Sequence, residues 1–267
     1  MARALLAEGD PANPMTQVYL AQLANLRKNP ELAERLYRKA TTVGSPGWAP
    51  HSEFGVFLFR QARFEDALRE FERARELAPD HPTVYQNLGG VYHRLDRADE
   101  AASAYQRALE LRPTPATYGN LGTLYFYQGK QVDAVKAFDN SLKLRSTNYL
   151  QWGNYGDACR WSIPDRAKAG EAYATALKLG REQLAKTPGD LDVRSSLDTY
   201  LVKSGDKEAA VAETAAIEKS APAKTNPSTR SAGQNRPGDL SRLLAQSLCS
   251  GASTTLIGSE RKPPSRA

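Results

Sequence analysis

The chain is short of the residues that reactive or covalently braced proteins need. Its 267 residues hold two cysteines, Cys159 and Cys249, and three histidines, His51, His81 and His93. Two cysteines, neither in a C-x-x-C, make no disulfide framework. The histidines belong to no H-E-x-x-H and to no cluster with metal-ligand spacing, and G-x-S-x-G does not occur. Gly122 to Lys130 lacks the spacing of a phosphate-binding loop. The expectation is therefore no cofactor, no metal and no enzyme. No apolar run approaches the ~18 residues of a membrane span. The apolar stretch before Glu8 is far shorter than the ~7–15 residues of a secretion signal. Together these absences predict a cytoplasmic protein with no membrane span. The patterned region begins almost at the N-terminus, as it would in a piece of a larger protein.

Charge of one sign is also scarcer than the net value of +6 suggests. After residue 220 there are seven basic residues against two acidic ones, and before it 29 against 28. The excess belongs to the C-terminal segment. Its Ala, Pro, Ser, Thr, Asn and Gly content predicts a basic, low-complexity, disordered tail over residues 224–267. Within it, Leu240, Leu243, Leu244 and Leu248 share one helical face.

What is present is a period. Gly55, Gly89, Gly122 and Gly156 recur at steps of 34, 33 and 34 residues. Ala67, Ala101, Ala134 and Ala169 follow them, as do aromatic residues at Phe71, Tyr105, Phe138 and Tyr173. Pro79 and Pro113 close two of the units. With each glycine numbered position 8, small residues stand at 8, 20 and 27, where two helices must cross closely. Large residues at 4, 7, 11 and 24 fill the space between them, and proline at 32 stops the second helix. The units run 14–47, 48–81, 82–114, 115–148, 149–189 and 190–223, after an extension over 1–13. The fifth takes an extra residue at Ile163-Pro164, and its second helix is expected to run about six residues long, towards Pro188. The end units are weaker: Ala21 replaces glycine in the first, Leu197 and Glu213 depart from the pattern in the last, as caps do.

This pattern resembles the tetratricopeptide (TPR) repeat, W-x2-L-G-x2-Y, A-x3-F, P. The resemblance implies an all-α TPR solenoid: a right-handed superhelix of about six helix pairs whose first helices line a concave groove. It implies a non-catalytic scaffold or adaptor that binds a segment of a protein partner. The stretch Asn148–Ala158 and the long helix after it resemble the repeat arrays that end many bacterial serine/threonine kinases and transcriptional regulators. Two alternatives follow: a regulatory piece of a larger signalling enzyme or regulator, or binding of an anionic partner, such as nucleic acid, through the basic tail. Seven scattered charges without aromatics make nucleic acid the poorer expectation.

In such repeats, positions 2, 5, 6, 9, 12 and 13 of the first helix face the groove. Position 6 holds Asn87, Asn120 and Asn154, which resemble the asparagine ladder of O-GlcNAc transferases and imply pairing with a peptide backbone. Asparagine offers both a donor pair and an acceptor. Three such contacts, at ~0.5–1.5 kcal/mol each, fall short of the cost of association, so further anchors are needed. Arg94, Tyr127, Arg160 and Trp161, at positions 12 and 13, are the candidates, being of the residue types that dominate interfaces. Phe59 and Phe126 serve equally well as seals of the inter-helix turn. The lysines and arginine of carboxylate-clamp TPR domains are missing: position 5 is Ser52, Gln86, Gly119 and Gly153. Cys159 falls at a core position and reads as an inert thiol.

Overall fold

The computed structural model describes residue 10 and residues 12–205, which divide into two compact units on either side of the Pro113–Thr114 bond. The second helix of the last unit, the tail and its leucine island lie outside the described residues. Among those described there are eleven α-helices, one 3-10 helix and no strand.

The first unit contains three hairpins: α1 (Pro14–Leu26) with α2 (Pro30–Ala40), α3 (Trp48–Arg60) with α4 (Phe64–Leu77), and α5 (Pro82–Arg94) with α6 (Ala98–Leu111). Proline occupies the first turn of α1, α2 and α5, where its missing N–H costs nothing. α4 and α6 end one residue before the residue that precedes Pro79 and Pro113, as the steric restriction ahead of proline requires.

Each crossing is made by a glycine and an aromatic ring. A Cβ on Gly55 would sit 2.6 Å from the Phe71 ring, and one on Gly89 equally close to Tyr105. Phe71 and Tyr105 are fully buried there. Helix-to-helix turns repeat with the same economy. Lys28, Ala62 and Asp96, each at position 15, adopt the left-handed backbone, with φ of 57°, 59° and 59°. That geometry reverses the chain in two residues, at a steric cost to any side chain with a Cβ. Arg63 then ties consecutive hairpins, reaching Glu34 at 2.8 Å and Asp66 at 2.6 Å, and holds both carboxyls below their usual range.

The second unit contains α7 (Pro115–Tyr127) with α8 (Gln131–Leu144), α9 (Tyr149–Trp161) with α10 (Ala169–Lys186), and α11 (Leu191–Ser204). Gly122 and Gly156 repeat the crossing against Phe138 and Tyr173, at 2.9 and 2.7 Å from the would-be Cβ. Gly129 takes the left-handed turn position at φ 74°. The fifth hairpin departs. Its turn is replaced by the 3-10 helix Ile163–Lys168, which absorbs the extra residue. Counted from Ala169, which matches Ala134 of α8, α10 runs seven residues past the equivalent of Leu144, close to the extension expected towards Pro188, while its first turn gives way to the 3-10 helix. The extension begins at Gly180, which packs against Leu197, 2.6 Å from the would-be Cβ, and seats α11.

Candidate functional site

In the first unit, position 6 of α5 faces inward. Asn87 is 2% exposed; its Nδ2 donates to Ser52 Oγ of α3 at 3.1 Å, and its Oδ1 finds no acceptor role among the described residues. The amide therefore joins one hairpin to the next. Arg94 closes the same helix with its guanidinium 4.9 Å from the centre of the Phe64 ring. Phe59 meets Phe64 edge-on at 5.3 Å, sealing the turn. Beside Arg94, burial and then the guanidinium charge push His93 down to about 4, so its ring is neutral at physiological pH. His51 Nδ1 lies 2.8 Å from Glu70 Oε2, and His81 stacks on Trp48 with ring centres 3.8 Å apart. The three histidines thus have separate structural surroundings, and the described residues contain no metal-ligand cluster.

In the second unit, Asn120 and Asn154 are 3% and 0% exposed. The sequence expectation placed all three asparagines on an open groove. In the chain alone they are interior. Phe126 is buried as well, edge-on to Tyr127 at 5.8 Å. Position 13 is different. Tyr127 and Trp161, in the last turns of α7 and α9, keep 39% and 41% of their surface open, and Arg160 is exposed beside Trp161. Ile163 follows at 86%.

Two features went unread in the sequence. Gly153 is a crossing point in its own right: a Cβ there would lie 2.2 Å from the Tyr200 hydroxyl of α11. Asp157, at position 9 of α9, is a buried carboxylate that accepts from Tyr173 Oη at 2.7 Å and from Lys203 Nζ at 2.7 and 2.8 Å. The signal was available, since the same position holds Val56, Gly90 and Thr123 in the three preceding units and an acid here and, as Asp198, in the last. This cluster pins α9, α10 and α11 together. Cys159 is fully buried, and burial raises its thiol to about 11, which leaves it protonated and unreactive.

A family model described as tetratricopeptide repeat matches residues 49–114. Over 106 residues the chain is 29% identical to the type IV pilus assembly protein PilF of Pseudomonas aeruginosa, covering 39% of this chain and 42% of that protein. The chain thus spans about two fifths of that relative's length. Among solved structures it is similar to MamA from Desulfovibrio magneticus RS-1, with TM-score 0.57 and 18% identity over 65% of this chain and 98% of that one. It is also similar to the APC/C hetero-tetramer Cut9-Hcn1, with TM-score 0.64 and 17% identity over 84% and 42% of the respective chains. At these identities the structures speak for the fold. Among the described residues no helix is long and apolar enough to cross a membrane.

Proposed function

We propose that this chain is a non-catalytic tetratricopeptide-repeat scaffold holding a peptide segment of a partner protein on its first helices. One observation carries the reading: Tyr127 and Trp161, both bulky and both at position 13 of consecutive first helices, stay two-fifths exposed in a unit whose other aromatics are largely packed. An exposed tyrosine and tryptophan with an adjacent arginine is the composition of a hot spot, and such groups gain most when a partner removes them from water. Arg160 adds a charge-assisted donor for a carboxylate or carbonyl on that partner. In the first unit Arg94 is the corresponding group.

The asparagines enter this proposal in a second role. Asn120 and Asn154 are buried in the helices that present Tyr127 and Trp161. A partner backbone reaches them only where binding draws the first helices apart. Their contribution is thus expected to be smaller than that of the two rings.

Selection of displayed peptides on the purified protein, followed by fluorescence anisotropy with the best binder, tests this. Tyr127→Ala and Trp161→Ala are expected to weaken binding at least tenfold each, about 1.4 kcal/mol. Asn87→Ala, Asn120→Ala and Asn154→Ala together are expected to weaken it less. Equal affinity across wild type and both aromatic variants would overturn the reading.

A further inference from the structure

On the side of α9 away from Trp161, a cleft of about 460 Å³ opens between α8, α9 and α10. At 100° per residue, Trp161 points about 180° from Trp152 and about 120° from Tyr155, while Arg160 lies about 80° from Trp152. The cleft and Trp161 therefore occupy different sides of α9. Trp152 and Tyr155 form two of its walls, with ring centres 6.0 Å apart and planes at 80°. The indole is held in place by its own N–H, which donates to the Ser146 carbonyl at 2.7 Å. The indole gives the cleft an aromatic wall, and the negative quadrupole of such a ring favours a cation.

The charged groups around the cleft agree. Lys143 is matched by Asp139 at 2.6 Å, and Lys168 by Asp165 at 2.7 Å, so neither ammonium is left to attract an anion. Glu171 lines the cleft and joins no ion pair among the described residues. The surplus charge is negative. A planar guanidinium meets both demands, stacking on the indole while its edge donates to the carboxylate.

A single cation–aromatic contact is too weak to retain a free ligand against the entropy of association. A tethered one is held at millimolar effective concentration and does not face that limit. The chain continues for 62 residues past Gly205, and residues 224–242 carry Lys224, Arg230, Arg236 and Arg242 with a single acid, Asp239. We propose that this cleft is a cation site and that its occupant is an arginine side chain from residues 224–242 of the same chain.

The test uses the full chain labelled with 15N, following the three indole N–H resonances of Trp48, Trp152 and Trp161. Trp152→Phe identifies the relevant peak. Replacing Lys224, Arg230, Arg236 and Arg242 by Gln leaves every described residue intact. The expected result is movement of the Trp152 resonance, with Trp48 and Trp161 unmoved. The same movement is expected in wild type at 1 M NaCl, where the Debye length falls to about 3 Å, and in part for Glu171→Gln. A Trp152 resonance indifferent to the four substitutions overturns the proposal. So does a movement that appears on dilution, which would make the occupant a second copy. A movement that Glu171→Gln fails to reproduce even in part overturns the cation assignment.

Discussion

The first unit closes each of its hairpins with a left-handed residue at position 15, whereas the second does so at Gly129, replaces the turn of its next hairpin with a 3-10 helix, and ends α11 on left-handed Gly205, one position later. In the first, Lys28, Ala62 and Asp96 bring each pair of helices back within two residues, and the polar links between hairpins include Arg63 with Glu34, Gln22 with Glu53 and Asn87 with Ser52. In the second, the fifth hairpin opens its turn into a 3-10 helix, lengthens α10, leaves Trp161 and Ile163 in solvent and buries an ion pair at Asp157. The regular hairpins also leave large groups open, Tyr19, Leu26, Leu77 and Tyr127 among them. What the departure adds is Trp161 and Ile163 in solvent and an acid inside.

The largest way to break this contrast is at Asp157. Asp157→Ala removes the acceptor of Tyr173 and strands the Lys203 ammonium, a loss of about 3 kcal/mol expected for a broken, largely buried pair. Hydrogen exchange should show faster opening of α9, α10 and α11 while the first unit keeps its protection. Loss confined to α11, or none, would show that Lys203 is solvated. Next in size is a change that should ignore the contrast. Gly89→Ala and Gly156→Ala each drive a methyl group into a buried ring and should each cost about 2 kcal/mol in denaturant unfolding. Gly170→Ala, with nothing within 4 Å of its would-be Cβ, should cost nothing.

The smallest effect sharpens the comparison through pH. All three histidines lie in the first unit. His93 is held near 4 against an ordinary 6.5, so between those values the unfolded chain binds the proton that the folded chain refuses. Stability is full above pH 6.5 and falls as the pH drops towards 4. From pH 7 to 5.5 the first unit should lose on the order of 1 kcal/mol, the second none from this source. Exchange measured at the two pH values checks it, and His93→Gln should flatten the difference.

Much of the fold was legible because its reasons are local and recur. A glycine at position 8 and an aromatic at 24 belong to one hairpin, so each hairpin states its own crossing, and four successive statements agree. Pro79 and Pro113 mark helix ends through the restricted backbone before them. Of the residues expected to meet a partner, Tyr127 and Trp161 keep about two fifths of their surface open, while Asn87, Asn120 and Asn154, read as open, are interior. Helical phase tells which way a side chain points, but not whether the next helix covers it.

By itself the sequence determined the period, the helix pairs and the residues that cross within each pair, since these depend on neighbours fewer than about twenty residues away. Only the tertiary structure decided which polar residues stay wet, why Gly153 yields to Tyr200, and how Asp157 comes to hold Tyr173 and Lys203. Those contacts bring together residues from successive hairpins. Their energies depend on desolvation, which no single repeat contains.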